Sequence, residues 1–186
     1  MVGWVGAARL AAGAATVVLA GAAAGFAPAA RAQHTRQNGG EVALSSLEYR
    51  VLQDINSFRH AHHLSSLRIS VALTQAADQH SHEMAAKGYF SHNSANGAAF
   101  WQRIERYYGA HDWSYWSVGE NLLWASPDVS AARALRMWEN SPEHRANLLT
   151  PGWRQIGISA VHVASAPGTY QGLGVTIVTT DFGVRR

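Results

Sequence analysis

The stretch that decides the fold lies at residues 138–145 and reads Trp-Glu-Asn-Ser-Pro-Glu-His-Arg. One apolar helix ends at Trp138, and Ser141 with Pro142 begins the next, because proline suits the first helical position and a serine hydroxyl can cap free N–H groups. His144 lies one turn into the new helix, where the positive end of the helix dipole favours neutral imidazole. Neutral imidazole can bind a metal ion or accept a proton.

The N-terminal segment has the pattern of a secretory signal peptide. Arg9 precedes an apolar run at residues 10–27, and residues 30–32 read Ala-Arg-Ala, which resembles a cleavage site. We therefore predict a signal peptide at residues 1–32, a flexible spacer at 33–43, and one folded domain at 44–186. The expected location is secreted or periplasmic, with no stable membrane span after cleavage. An uncleaved membrane anchor is the alternative reading of the apolar run.

The composition indicates a globular chain without a nucleic-acid partner. Of 186 residues, 47% are hydrophobic and 15% are charged, which is typical of a folded domain. Cleavage after residue 32 would remove Arg9 and Arg31 and lower the formal net charge from +3 to +1. The other arginines are not grouped in a stripe that could follow a phosphate backbone. Without cysteine, an exported domain must fold on its apolar core alone.

The spacing of apolar residues predicts helices first and strands last. The predicted inner helix faces carry Leu47, Val51 and Ile55; then Leu73, Ala76, His80 and Met84; then Phe100, Ile104 and Tyr107; then Ala131, Leu135 and Trp138, in a helix capped by Asp128. Residues 119–122 read as a short motif between an irregular aromatic loop and that last helix. Alternation at residues 156–160 and a Val-, Ile- and Thr-rich run at 173–182 predict an antiparallel hairpin. The order indicates an α+β domain with a small sheet covered by helices.

Three residues stand out as candidates for a shared site. His92 follows a helix exit and an aromatic pair, so it lies on a loop held by buried side chains, where sites concentrate. Glu120 follows a glycine in the short motif, and His144 belongs to the opening stretch. His80, on an apolar helix face, is expected to lie at the edge of the core. The histidines at positions 60, 62 and 63 are expected on the surface at a helix end.

Short motifs between residues 47 and 183 occur in a distinctive order. They are Asn56-x-x-Arg59, Ser81-x-x-Met84, Phe90-Ser91-His92, Gly119-Glu120-Asn121-Leu122, Trp138-x-x-Ser141-Pro142-x-His144-Arg145, Ile156-Gly157-Ile158 and Thr180-Asp181-Phe182-Gly183. This succession resembles the bacterial branch of the CAP superfamily, which includes cysteine-rich secretory proteins, antigen 5 and pathogenesis-related proteins. The resemblance implies an α-β-α sandwich with a small antiparallel sheet flanked by helices. It also implies a central cleft that receives His92, Glu120 and His144.

The chain departs from the animal and plant members of that superfamily in two places. Their second cleft glutamate corresponds to Ser141 here, and Glu139 or Glu143 could replace it only if the helix ended differently. The loop before residue 117 looks like a local elaboration. Its aromatic residues can either stack on a sugar or lipid in the cleft or pack the lid of the core, and they are Trp113, Tyr115 and Trp116.

Two imidazoles and one carboxylate could hold a divalent metal ion such as zinc, with a fourth position left open. The resemblance therefore implies a secreted binding domain with a metal-capable cleft, which could also take a small hydrophobic or cell-envelope ligand. A metal-dependent hydrolase of peptide or envelope substrates is the alternative. A Ser-His-Glu triad through Ser141 is a weaker variant, because a capping serine points its hydroxyl at backbone N–H groups. In a third reading His92, Glu120 and His144 only brace the fold.

Overall fold

The structure is a computed structural model, and it describes residues 43–186. The predicted signal peptide and all but the last residue of the predicted spacer lie outside this range. Within the range, no helix is long and apolar enough to cross a bilayer.

Five α-helices and four strands make up the described part of the chain. In order they are α1 (Ser46–Ala61), β1 (Arg68–Ile69), α2 (Val71–Lys87), α3 (Phe100–Glu105), β2 (Trp116–Ala125), α4 (Ala131–Glu139), α5 (Pro142–Leu148), β3 (Gln155–Val163) and β4 (Val175–Arg185), with a short 3₁₀ turn at Gly168–Tyr170. The predicted α+β sandwich with helices on a small sheet is confirmed. The predicted hairpin is also present, as β3 and β4.

The sheet has the strand order β1-β3-β4-β2. The three long strands pair antiparallel with one another, as β3–β4 and β4–β2, whereas the two-residue β1 runs parallel to β3. Because β2 pairs only with β4, it forms one edge of the sheet, and elements on the two faces can meet around it.

Successive side chains of a strand point to opposite faces, so the sheet has two different packing layers. On one face, α1 and α4 cover the largest apolar cluster, which includes Ile55, Leu123, Trp138 and Phe182. On the other face, α2 packs on β3 and β4, and it approaches them closely at Gly157. A Cβ atom at that glycine would lie 2.0 Å from the carbonyl carbon of Leu73.

The assignment of residues 119–122 to a short motif between loop and helix is wrong. These residues form the middle of β2, a ten-residue strand that pairs with β4 along its whole length. Glycine, glutamate and asparagine have low strand propensity, and burial on both faces removes the polar–apolar alternation that marks a strand. The pattern that would have revealed β2 is therefore missing from the sequence.

Two predictions at helix ends are also wrong. The residue that caps α4 is Ser130, whose hydroxyl accepts a hydrogen bond from the N–H of Arg133, and not Asp128. Just after the third helix the buried aromatic residue is Tyr108, whereas Tyr107 is exposed. The helix ends at Glu105, so the helical spacing that favoured Tyr107 no longer applies two residues later.

Candidate functional site

His92 lies on a loop after α2 that several side chains hold in place. Glu83 accepts hydrogen bonds from the Tyr89 hydroxyl (2.7 Å) and from the N–H of Ala95 (3.2 Å), so it joins the loop to α2 on both sides of His92. Arg103 on α3 donates to the carbonyl oxygen of His92 at 3.0 Å. These contacts fix the backbone on both sides of the imidazole.

Glu120 is the buried partner of this histidine. Its Oε1 lies 2.7 Å from Nδ1 of His92, and its Oε2 accepts a hydrogen bond from the guanidinium of Arg103. Burial by itself would raise the pKa of Glu120, but the charge of Arg103 and the bond to His92 outweigh it, so the pKa lies below its ordinary value. Glu120 is therefore ionised, and both of its oxygens are in use.

Asp181 extends this charged cluster across the sheet. It is paired with Glu120 in the β2–β4 ladder and is fully buried, and neither carboxyl oxygen has a hydrogen-bond partner within the described residues. Burial and the neighbouring Glu120 charge raise the pKa of Asp181 well above its ordinary value. Both causes favour the protonated form of Asp181, which would spare the sheet a second buried negative charge.

His144 has a different partner. Its Nδ1 lies 2.7 Å from the hydroxyl of Ser141, which precedes α5 but makes no capping bond to the helix backbone. The expectation that Ser141 caps the helix with its hydroxyl is therefore wrong. Burial, and then the charge that His92 can carry, lower the pKa of His144, while Glu143 opposes them. The lowered pKa favours the neutral imidazole, and its first cause is burial rather than the helix start.

The two histidines approach the edge strand β2 from opposite faces of the sheet. Glu120 points toward α2 and α3 and bonds the side chain of His92. The next residue, Asn121, points to the other face, where it donates to the carbonyl oxygen of His144 (3.1 Å) and accepts from Asn147 (2.9 Å). Two adjacent residues of one strand thus position both histidine segments. Each Nδ1 is engaged, so Nε2 is the nitrogen that remains for a ligand.

The other candidate residues lie elsewhere. Glu139 lines a groove of about 310 Å³ between α1 and α4, and Glu143 is exposed in the first turn of α5. Trp113 and Tyr115 are exposed near the start of β2, and half-buried Trp116 donates to the carbonyl oxygen of Tyr108. Across residues 43–186, no three His, Cys, Asp or Glu residues are grouped so that they could hold a metal ion.

Sequence reasoning missed two members of the cluster, Arg103 and Asp181. Asp181 had a signal, since it is the one acidic residue in a Val-, Ile- and Thr-rich strand and belongs to a quoted motif. Arg103 had none, because an arginine on a short helix is ordinarily solvated. Only its burial identifies it as the counter-ion of Glu120.

Comparison with known proteins agrees with this architecture. Residues 52–180 match the Cysteine-rich secretory protein family (CAP), and the chain belongs to this family. Among curated proteins, the uncharacterized protein YkwD of Bacillus subtilis is 29% identical over 140 residues, which are 75% of this chain and 52% of YkwD. The chain thus spans about half the length of that curated relative.

Solved structures show the same fold. An extracellular protein with an SCP domain from Bacillus anthracis is 27% identical, with a TM-score of 0.56 over 75% of this chain and 40% of that chain. An outer surface protein from Borrelia burgdorferi is 20% identical, with a TM-score of 0.58 over 80% of this chain and all of that chain. At that identity the second likeness concerns the fold alone.

Proposed function

We propose that this chain is an exported CAP-domain protein in which His92 and His144 bind one divalent metal ion, such as zinc, through their Nε2 atoms. A small hydrophobic or cell-envelope ligand would bind beside the ion. Export is supported by the signal-like N-terminal sequence and by the extracellular or surface location named for the two solved relatives. The role we favour is binding rather than turnover.

The observation that carries the proposal is the matched arrangement of the two imidazoles. In each of them a side-chain oxygen lies 2.7 Å from Nδ1, contributed by Glu120 for His92 and by Ser141 for His144. Metal-binding histidines ordinarily donate their second N–H to such an oxygen, which fixes both the tautomer and the ring orientation. Neutral imidazole is also the ligating form, and the lowered pKa of His144 favours it.

Glu120 fits the role of an orienting group better than the role of a third ligand. Both of its oxygens already accept hydrogen bonds, and coordination would separate the carboxylate from buried Arg103. The protein therefore offers two nitrogen ligands, and solvent or a bound ligand would complete the coordination. A metal ion so placed would supply Lewis acidity to a group bound next to it.

Zinc titration of the mature protein by calorimetry tests this proposal. We expect one equivalent to bind, and we expect His92→Ala or His144→Ala to abolish binding. His162→Ala is the matched control, because this exposed histidine also has a carboxylate near Nδ1, 3.3 Å away on Asp128, but lies at the far end of the sheet. Zinc binding that survives both site substitutions, or that His162→Ala reduces equally, would contradict the proposal.

A hydrolase is the second candidate, and one contact favours it. The Ser141 hydroxyl points at an imidazole rather than at the backbone, so a nucleophile and a base are within hydrogen-bonding distance. The third member of a triad is not in position, since Glu120 bonds His92 and not His144. The pair by itself is a weaker activating arrangement than a full triad.

An activity screen on casein, peptidoglycan and ester substrates separates binding from hydrolysis. Turnover that Ser141→Ala abolishes and a chelator leaves intact would indicate a serine mechanism. Turnover lost with the chelator and with Glu120→Gln would indicate a metal-dependent one. Zinc binding without turnover on any of these substrates is the result that the binding role predicts.

A further inference from the structure

We propose that a surface formed by Trp113, Tyr115, Arg185 and Arg186 binds the anionic headgroups of a phospholipid bilayer. We call these four residues the aromatic–arginine patch. The proposal rests on contacts that do not involve the histidines, so it stands or falls separately from metal binding.

The patch is held rigid by the edge of the sheet. Tyr115 and Arg186 exchange two backbone hydrogen bonds, of 2.8 and 3.0 Å, and these extend the β2–β4 ladder by one residue pair. The hydroxyl of Ser114 also donates to the carbonyl oxygen of Arg186 at 2.9 Å. The loop that carries the aromatic residues and the strand that carries the arginines therefore present one fixed surface.

Each arginine stacks on an aromatic ring. The guanidinium carbon of Arg185 lies 4.1 Å from the ring centre of buried Tyr108 and 5.2 Å from that of Trp113, and the guanidinium carbon of Arg186 lies 4.6 Å from the ring centre of Tyr115. Stacking orients a guanidinium while leaving its edge N–H groups free to bond. One nitrogen of half-buried Arg185 already donates to the carbonyl oxygen of Gly109 at 3.3 Å, so exposed Arg186 is the arginine best placed to bind phosphate oxygens in pairs. Within residues 43–186, no aspartate or glutamate side chain forms an ion pair with the guanidinium of either arginine.

The aromatic side chains are exposed although they are large. Trp113 is 44% exposed and Tyr115 is 39% exposed. Exposed aromatic rings beside arginines without an ion-pair partner match the headgroup region of a bilayer, where Trp and Tyr rings settle and anionic lipids attract arginine. The exposure of these two rings favours a flat partner over a small molecule, which would bury most of its surface in a concave site.

Vesicle co-sedimentation of the mature protein tests the proposal. We expect binding to vesicles of phosphatidylglycerol mixed equally with phosphatidylcholine, little binding to phosphatidylcholine alone, and weakening as salt shortens the screening length. Arg186→Glu should lower the partition coefficient more than about five-fold, since one basic residue near an anionic membrane is worth about that factor. Trp113→Ala should also lower it, through the loss of interfacial contact.

Matched controls come from the start of α1, where Tyr49 is 55% exposed and Arg50 is also exposed. Tyr49→Ala and Arg50→Glu should leave vesicle binding within two-fold of wild type, because salt screens a charge that lies away from the patch. Circular dichroism and thermal unfolding verify that each variant folds. If Arg186→Glu does not fold, Arg186→Lys is the substitute, because it keeps the positive charge at this position. Equal binding to both vesicle types would overturn the proposal. So would equal losses in patch and control variants, or binding of soluble phosphate or anionic glycan without vesicle binding.

Discussion

The two faces of the sheet differ in the kind of side chains that they bury. The face under α1 and α4 is filled by apolar side chains such as Ile55, Trp138 and Phe182. The face under α2 and α3 buries apolar residues as well, but it also encloses the charged pair of Glu120 and Arg103. An apolar filling of similar volume would ordinarily stabilise a fold at least as well as a buried ion pair. We infer that the second face keeps its charges to orient His92.

The largest expected effect breaks the charged face. Glu120→Ala leaves Arg103 buried without its counter-ion, so we expect the free energy of unfolding to fall by about 3–5 kcal/mol in urea titrations. The double variant Glu120→Leu with Arg103→Met removes both charges and should recover most of that loss. If Glu120→Ala lowers the free energy of unfolding by less than about 1 kcal/mol, the ion pair of Glu120 and Arg103 does not hold this face together.

The next effect concerns how closely α2 approaches the sheet. Gly157→Ala would place a methyl group against the backbone of Leu73, so we expect a loss of about 3 kcal/mol or more, measured by urea unfolding. Gly152→Ala is the control, because a Cβ atom there meets nothing within 4 Å, and its effect should stay within about 0.5 kcal/mol. Similar stability of the two variants would show that α2 can move away from the sheet.

A smaller effect separates packing from site geometry. Ser141→Ala and Ser130→Ala should each cost about 1 kcal/mol, because each removes one hydrogen bond near a helix start. Only Ser141→Ala should weaken zinc binding, by about 10- to 100-fold, since only Ser141 contacts a histidine ring nitrogen. If calorimetry gives equal zinc affinities for Ser141→Ala and Ser130→Ala, Ser141 does not contribute to the metal site.

A separate effect is a pH dependence at the His92 loop. Hydrogen bonds from Lys87, Tyr89 and the N–H of Ala95 outweigh burial and lower the pKa of Glu83 from 4.5 to about 2. The folded state therefore holds this proton less tightly than the unfolded state. The stabilisation is present above pH 4.5 and is lost as the pH falls toward 2.

Glu83→Gln should remove that part of the acid sensitivity when thermal unfolding is followed between these pH values. Exposed Glu143, which is not bonded to the loop, provides the control substitution Glu143→Gln. A midpoint that varies with pH identically in wild type and Glu83→Gln would show that the carboxylate does not anchor the loop.

The sequence predicted the parts of the fold that repeat a pattern. The inner face of α2, including His80 and Met84, followed from helical spacing, and the β3–β4 hairpin followed from strand composition. Strand β2 was not predicted, because its middle residues have low strand propensity. Its place in the sheet depends on pairing with β4, which is distant in sequence.

The sequence indicates the candidate site residues but not the contacts that each of them makes. Motif order pointed to His92, Glu120 and His144, whereas the partners of each imidazole depend on which residues the edge of the sheet brings together. The hydroxyl of Ser141 had two possible partners within one turn, the helix backbone or the ring of His144. Burial of that ring favours the second, and burial is a tertiary property.

The central proposal is that His92 and His144, on opposite sides of β2, form one site that binds a metal ion through their Nε2 atoms. The most direct test is an NMR titration with zinc that follows the four imidazole nitrogens of these two residues in uniformly ¹⁵N-labelled protein. We predict that the resonances of both Nε2 atoms shift together and that these shifts are complete at one equivalent of zinc, while both Nδ1 atoms stay protonated. Shifts that occur at different zinc concentrations, or that appear at Nδ1, would contradict a shared site.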